Sequence, residues 1–116
     1  MGKTIIYHNP RCSKSREALQ LLADNSCEVE VVEYLKNTPS KDELSALIRL
    51  LGIAPHDLIR TGEAIYKEQY KGKALSDEEW IRAMVEHPVL IERPIVVQNG
   101  KAVIGRPPTK VLEILQ

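Results

Sequence analysis

Phenylalanine is missing from this chain of 116 residues, and one tryptophan and four tyrosines supply all of its aromatic side chains. So few rings argue against a base-stacking platform for single-stranded nucleic acid. Net charge is missing as well, because sixteen basic and sixteen acidic residues cancel. No global field therefore favours nucleic acid or an anionic membrane, and any electropositive feature has to be local. The longest apolar runs, such as Thr4-Ile5-Ile6-Tyr7 and Pro94-Ile95-Val96-Val97, are far too short to cross a bilayer. No charged segment followed by an apolar one opens the sequence, so no signal peptide is expected. Cysteine is scarce: Cys12 and Cys27 are expected as thiols in a reducing cytoplasm. The length fits one domain, residues 1–116, large enough to bury its own core.

What is present concentrates in Tyr7-His8-Asn9-Pro10-Arg11-Cys12-Ser13-Lys14-Ser15-Arg16. Lys3 to Tyr7 reads as a short β-branched strand, and about Ser13 to Asn25 as a helix with Ala18, Leu19, Leu22 and Ala23 on one stripe. Cys12 then sits where a strand ends and a helix begins. The first turn of a helix offers unpaired backbone N–H groups and a partial positive charge. A thiol there has its pKa lowered from ~8.5 into the range of roughly 3.5–7.5 in favourable cases. Arg11, Lys14 and Arg16 add cationic side chains, so a nucleophile acting on an anion is the implied chemistry.

Along the rest of the chain, Glu28 to Tyr34 reads as a second strand, completing a βαβ unit with parallel pairing. Ser40-Lys41-Asp42-Glu43 has capping-box spacing ahead of Leu44, Leu47, Ile48 and Leu51, and Gly52 stops that helix. Pro55 opens a short helical piece ending near Arg60. Ser76-Asp77-Glu78-Glu79 repeats the capping box ahead of Trp80, Ile81, Met84 and Val85, with His87-Pro88 as the stop. Two β-branched runs around Asn99-Gly100 read as a hairpin, and Pro107-Pro108 suits the start of a last helix. The order βαβ, helical insert, ββα predicts an α/β thioredoxin-like fold with a mixed four-stranded sheet.

Several local checks bound the chemistry. Ser15 stands three residues after Cys12, so no Cys-x-x-Cys disulfide forms there, and Ala18 stands where a Cys-x5-Arg phosphatase loop needs arginine. A helix of about thirteen residues is ~20 Å long, which separates Cys27 from Cys12 by much more than the ~4.4–6.8 Å a disulfide allows between Cα atoms. Arg60, Arg93 and Arg106 flank element ends or prolines, as oxyanion ligands or as solvated surface residues. His8 is either a cation that favours the thiolate or a neutral loop hydrogen-bonder. Pro94 is either an ordinary trans proline or, in a thioredoxin-like fold, the cis proline facing the thiol. His56 and His87 lack companions at metal-ligand spacing, so no metal site is expected.

Taken together, Tyr7-His8-Asn9-Pro10-x-Cys12 with Ser15-Arg16, Tyr34-Leu35, Leu58-Ile59-Arg60, His87-Pro88, Arg93-Pro94-Ile95-Val96-Val97 and Arg106-Pro107 resemble the glutaredoxin-coupled arsenate reductases of the ArsC type across essentially the whole chain. The resemblance implies Cys12 as the nucleophile toward arsenic, with Arg60, Arg93 and Arg106 binding the oxyanion. It also implies thiolate tuning by His8, a hydrogen-bonding role for Ser15, and a cis Pro94. Arsenate would be the substrate, glutathione the co-substrate reductant, glutaredoxin the partner and no cofactor bound, in a cytoplasmic monomer without nucleic-acid or membrane partners. Two other classes compete: a glutathione-dependent thiol oxidoreductase with another substrate, and an Spx-like RNA polymerase-binding regulator. The regulator's usual Cys-x-x-Cys switch is absent here, since Ser15 fills its second position.

Overall fold

The β-branched run at the start of the chain forms β1 (Thr4–Tyr7), an inner strand of a mixed four-stranded sheet ordered β2-β1-β3-β4. β2 (Val29–Val32) pairs with it in parallel, as a βαβ crossover requires. β3 (Ile95–Gln98) runs antiparallel on its other side, and β4 (Lys101–Ile104) completes the hairpin. This computed structural model describes residues 3–115. They fall into two compact units: one comprises the described residues up to Asn37 with those from Arg93 onward, the other Thr38–Glu92.

In the first unit, α1 (Ser13–Asp24) buries Ser15, Ala18 and Leu22, one stripe at i, i+3, i+7. Ala18 and Leu22 pack with Ile6, Val96, Val111 and Ile114 into a core. Each fully buried Ile, Leu or Val contributes roughly 1.5–3 kcal/mol. The stripe starts three residues earlier than the sequence suggests, at Ser15, and leaves Ala23 exposed. β2 is shorter than expected because the chain turns at Glu33, whose carbonyl accepts the Lys36 and Asn37 N–H groups. Asn99 and Gly100 both take positive φ, 54° and 73°, as a type I′ hairpin turn demands.

The expected last helix is instead a 3-10 helix, Pro108–Glu113. The Lys110 N–H reaches the Pro107 carbonyl, and Val111 and Ile114 face inward three residues apart, the spacing that three residues per turn serves.

The second unit holds α2 (Lys41–Leu51), a 3-10 turn at Pro55–Leu58, α3 (Ala64–Gln69), α4 (Asp77–Glu86) and a 3-10 turn at Pro88–Leu90. Both capping boxes form with both of their arms, Ser40 with Glu43 and Ser76 with Glu79. Gly52 ends α2 in the left-handed conformation. α4 packs against α2 and against both 3-10 turns, and Lys41 pairs with Glu78 near the two helix starts. α3 buries no residue, so it carried no apolar stripe for the sequence to show. No described helix is long and apolar enough to cross a membrane.

The order βαβ, helical insert, ββ and terminal helical turn around a mixed sheet is the thioredoxin-like arrangement. One contact locks its hairpin end. The Gly105 N–H donates to the Pro94 carbonyl at 2.9 Å, and a Cβ on Gly105 would lie 2.9 Å from Pro94 Cγ and 3.2 Å from Val111 Cγ1. Gly105→Ala is expected to destabilise the protein by about 1–3 kcal/mol, the usual cost of overpacking; urea unfolding of the variant checks this.

Candidate active site

The loop between β1 and α1 is folded by its own polar groups. The Asn9 side-chain oxygen accepts the Arg11 N–H at 3.0 Å, the Asn9 carbonyl accepts the Cys12 N–H at 3.0 Å, and Arg16 Nη1 donates back to the Pro10 carbonyl at 3.0 Å. These bonds deliver Cys12 to the N-cap of α1 with extended backbone, φ −94° and ψ 123°. α1 has no side-chain cap hydrogen bond and no acidic residue in its first turn. The N–H groups of Ser15 and Lys14 instead favour the charged form of the Cys12 sulfur. A thiol accepts hydrogen bonds weakly, and a thiolate accepts them well. Ionisation of Cys12 therefore completes the cap that the helix lacks.

Burial pushes the Cys12 thiol up, and this is more than offset by the Arg93 side chain, which hydrogen-bonds the sulfur and attracts it by charge, and by the Ser15 and Lys14 N–H groups. The net direction is down from the usual thiol value. Arg106 Nη1 lies 4.0 Å from Cys12 Sγ and donates to the Arg93 carbonyl at 3.3 Å. At that length Arg106 adds little to the sulfur's ionisation, and Arg93 carries the larger share. Both guanidiniums face a sulfur that is only half-buried and open to reagents.

Sheet register explains why the two arginines meet. Ile95 pairs with Ile104 across the hairpin, and the Gly105 N–H bonds the Pro94 carbonyl one step outward. Arg93 and Arg106 follow on the two sides of that bond, and Arg106 Nη1 reaches the Arg93 carbonyl at 3.3 Å. Tyr7 pairs with Ile95 in the neighbouring ladder, so the loop that carries Cys12 leaves the sheet beside the same end. The Arg93-Pro94 peptide bond is cis, as a thioredoxin-like fold leads one to expect, and so is Arg106-Pro107, where no cis bond was expected.

His8 and Ser15 form a buried strut beneath the thiol. His8 Nδ1 is 2.7 Å from Ser15 Oγ, and that oxygen also accepts the Asn9 N–H at 3.0 Å. A hydroxyl has one hydrogen to give and two lone pairs, so with Asn9 donating to it Ser15 can still either donate to Nδ1 or accept from it. Burial is the main reason the His8 pKa lies below its usual 6.5; Glu33 raises it somewhat and Arg16 lowers it further. The lowered pKa and the contact with Ser15 both favour the neutral ring, one of the two readings of His8. Ser15 correspondingly offers the sulfur its backbone N–H while its hydroxyl is occupied below.

Arg60 belongs to the second unit. Its Nε donates to Glu63 at 3.2 Å and its Nη1 to Glu92 at 3.0 Å. Neither carboxylate was singled out from the sequence. Cys27 is a free, half-buried thiol that packs on the first unit's core, with Gln98 Nε2 3.9 Å from its sulfur.

The His8 pKa is lowered in the folded state, so the unfolded chain gains a proton first as the pH falls. The stability it contributes is complete above about pH 6.5 and is lost as the pH drops through the folded-state value. Wild type is expected to lose more unfolding free energy between pH 7.5 and 5.5 than His8→Gln, measured by urea denaturation at both pH values.

Comparison with known proteins identifies the family. A family model described as the ArsC family matches residues 7–114. The chain is 54% identical over 112 residues to the YfgD protein of Escherichia coli, covering 95% of this chain and 94% of that one. It is 46% identical over 113 residues to the arsenate reductase of Haemophilus influenzae, covering 96% and 97%. Among solved structures, the arsenate reductase from Vibrio cholerae superposes with a TM-score of 0.95 at 50% identity, covering 98% of each chain. With match, coverage and fold in agreement, the chain belongs to the ArsC family.

Proposed function

We propose that this protein reduces arsenate to arsenite, with Cys12 as the nucleophile and Arg93 and Arg106 as oxyanion ligands. The observation that carries the reading is the half-buried Cys12 sulfur, whose pKa is lowered chiefly by Arg93, with Arg106 4.0 Å away. The names borne by the family relatives supply the substrate. Arg60 joins as a further oxyanion ligand on the strength of the Leu58-Ile59-Arg60 pattern.

Arginine charge offsets the charge of arsenate, allowing an anionic sulfur to approach it. Cys12 forms a sulfur–arsenic bond, and one arsenate oxygen departs as water after protonation. A glutathione thiolate then attacks the Cys12 sulfur. The sulfur–sulfur bond forms, the sulfur–arsenic bond breaks, and its electron pair stays on arsenic, which passes from the pentavalent to the trivalent state and leaves as arsenite. Glutaredoxin takes the glutathione off Cys12 by thiol–disulfide exchange and regenerates the thiol. Two thiols supply both electrons, so the cycle needs no bound redox cofactor. An external reductant suits a chain with Ser15 three residues beyond its nucleophile and Cys27 at the far end of α1. A reducing cytoplasm and a monomeric state complete the proposal.

NADPH oxidation in a mixture of glutathione, glutathione reductase and glutaredoxin is expected to depend on added arsenate. Rates that are identical without arsenate would point to the thiol oxidoreductase with another substrate. Cys12→Ser should abolish turnover while Cys27→Ser stays near wild type; equal losses would mean an internal resolving cysteine. Arg93→Ala is expected to lower kcat/KM roughly 10²–10³-fold, the loss seen when one preorganised donor is removed. It should also shift the pH midpoint of iodoacetamide labelling at Cys12 upward toward the free-thiol value of ~8.5. Wild-type labelling should titrate clearly below that value.

A further inference from the structure

Arg60 is held more firmly than an anion ligand waiting for substrate needs to be. Its backbone N–H donates to the Leu90 carbonyl at 2.8 Å, and the Glu92 N–H donates to the Leu58 carbonyl at 2.9 Å, on either side of the antiparallel Ile59–Ile91 bridge. That register puts the Arg60 and Glu92 side chains on one face, diagonal to each other and within reach of long side chains. The Glu63 N–H donates to the Arg60 carbonyl, which closes a turn and returns a second carboxylate to the same guanidinium. Side-chain exposures are 22% for Arg60, 26% for Glu63 and 27% for Glu92, so solvent screens these pairs less than an open surface would.

Two features of this cluster bear on anion binding. Two carboxylates are paired with one guanidinium, so an incoming anion competes with both of them for it. A guanidinium has five N–H donors, and the two hydrogen bonds use one on Nε and one on Nη1. The remaining donors lie on Nη1 and Nη2, so the pairs also decide which edge of Arg60 is left to offer.

We infer that Glu63 and Glu92 are positioning residues that set the orientation and the oxyanion affinity of Arg60, with the substrate oxyanion competing against two of the protein's own carboxylates for one guanidinium. The inference rests on the reading of Arg60 as an oxyanion ligand. Its consequence is specificity: weakly charged or singly charged anions gain too little at Arg60 to overcome the carboxylates, whereas a multiply charged tetrahedral oxyanion gains enough.

The test measures arsenate affinity by calorimetric titration and arsenate KM by turnover in wild type, Glu63→Gln and Glu92→Gln, each repeated on an Arg60→Ala background. Each glutamine keeps the side-chain shape and a hydrogen-bond acceptor while removing one charge. Each is expected to tighten arsenate binding about two- to fivefold, the size of one partly screened charge interaction, with the gain carried by KM. On the Arg60→Ala background the gain should vanish. Affinity that is unchanged or weaker in both glutamine variants overturns the inference, and if Arg60→Ala alone still weakens arsenate, the reading of Arg60 stands. Affinity indifferent to Arg60→Ala overturns both. Tightened binding without any arsenate turnover supports the inference and removes the proposed reaction.

Discussion

An incompletely capped helix is the constraint on which the reactive end of this protein depends. The first turn of α1 presents N–H groups with no side-chain oxygen to receive them, and Cys12 occupies the capping position. Serine, threonine or aspartate there would satisfy the helix permanently. Sulfur satisfies it well only as an anion, so local helix energetics and nucleophile activation become the same interaction. Arg93 reinforces that anion from the sheet side, and the buried His8–Ser15 pair fixes the turn whose N–H groups do the work. The lowered pKa of the thiol thus comes from Arg93 and the backbone N–H groups acting together against burial.

Much of this was legible in the residues. Ser40 and Ser76 with glutamate three positions later mark helix starts because the pattern satisfies two backbone donors at once, and Asn99-Gly100 marks a hairpin because both positions must take positive φ. Cys12 was legible because a polar, cationic surrounding is a poor home for a structural cysteine. The shared position of Arg93 and Arg106 was written in the hairpin as well, since both lie two residues outside the Ile95–Ile104 pair; the signal was register and not spacing along the chain. Other features had no such imprint. α3 buries nothing, the terminal 3-10 helix shares its inward residues with an α-helical pattern, and the lowered pKa of His8 follows from burial that only tertiary packing creates.

Charge is distributed differently in the two units. In the first, Arg93 favours the charged form of the sulfur and Arg106 lies 4.0 Å from it; in the second, Arg60 pairs with Glu63 and Glu92. Guanidiniums of similar sequence context, each beside an element end, therefore meet different partners. Counting arginines alone would have treated them as equivalent.

The smallest side chains sit where the tolerances are tightest. Gly105 lies against Pro94, whose neighbour Arg93 bonds the sulfur, and the next nearest groups to its missing Cβ are Val111 and Ala18 of the thiol-bearing helix. The distance between helix and arginine loop is consequently governed by methyl-sized apolar contacts that bear no charge and touch no reagent. Descendants of this chain could retune their reactivity by adding or shaving single carbons at these inert positions, leaving every ionisable group unaltered.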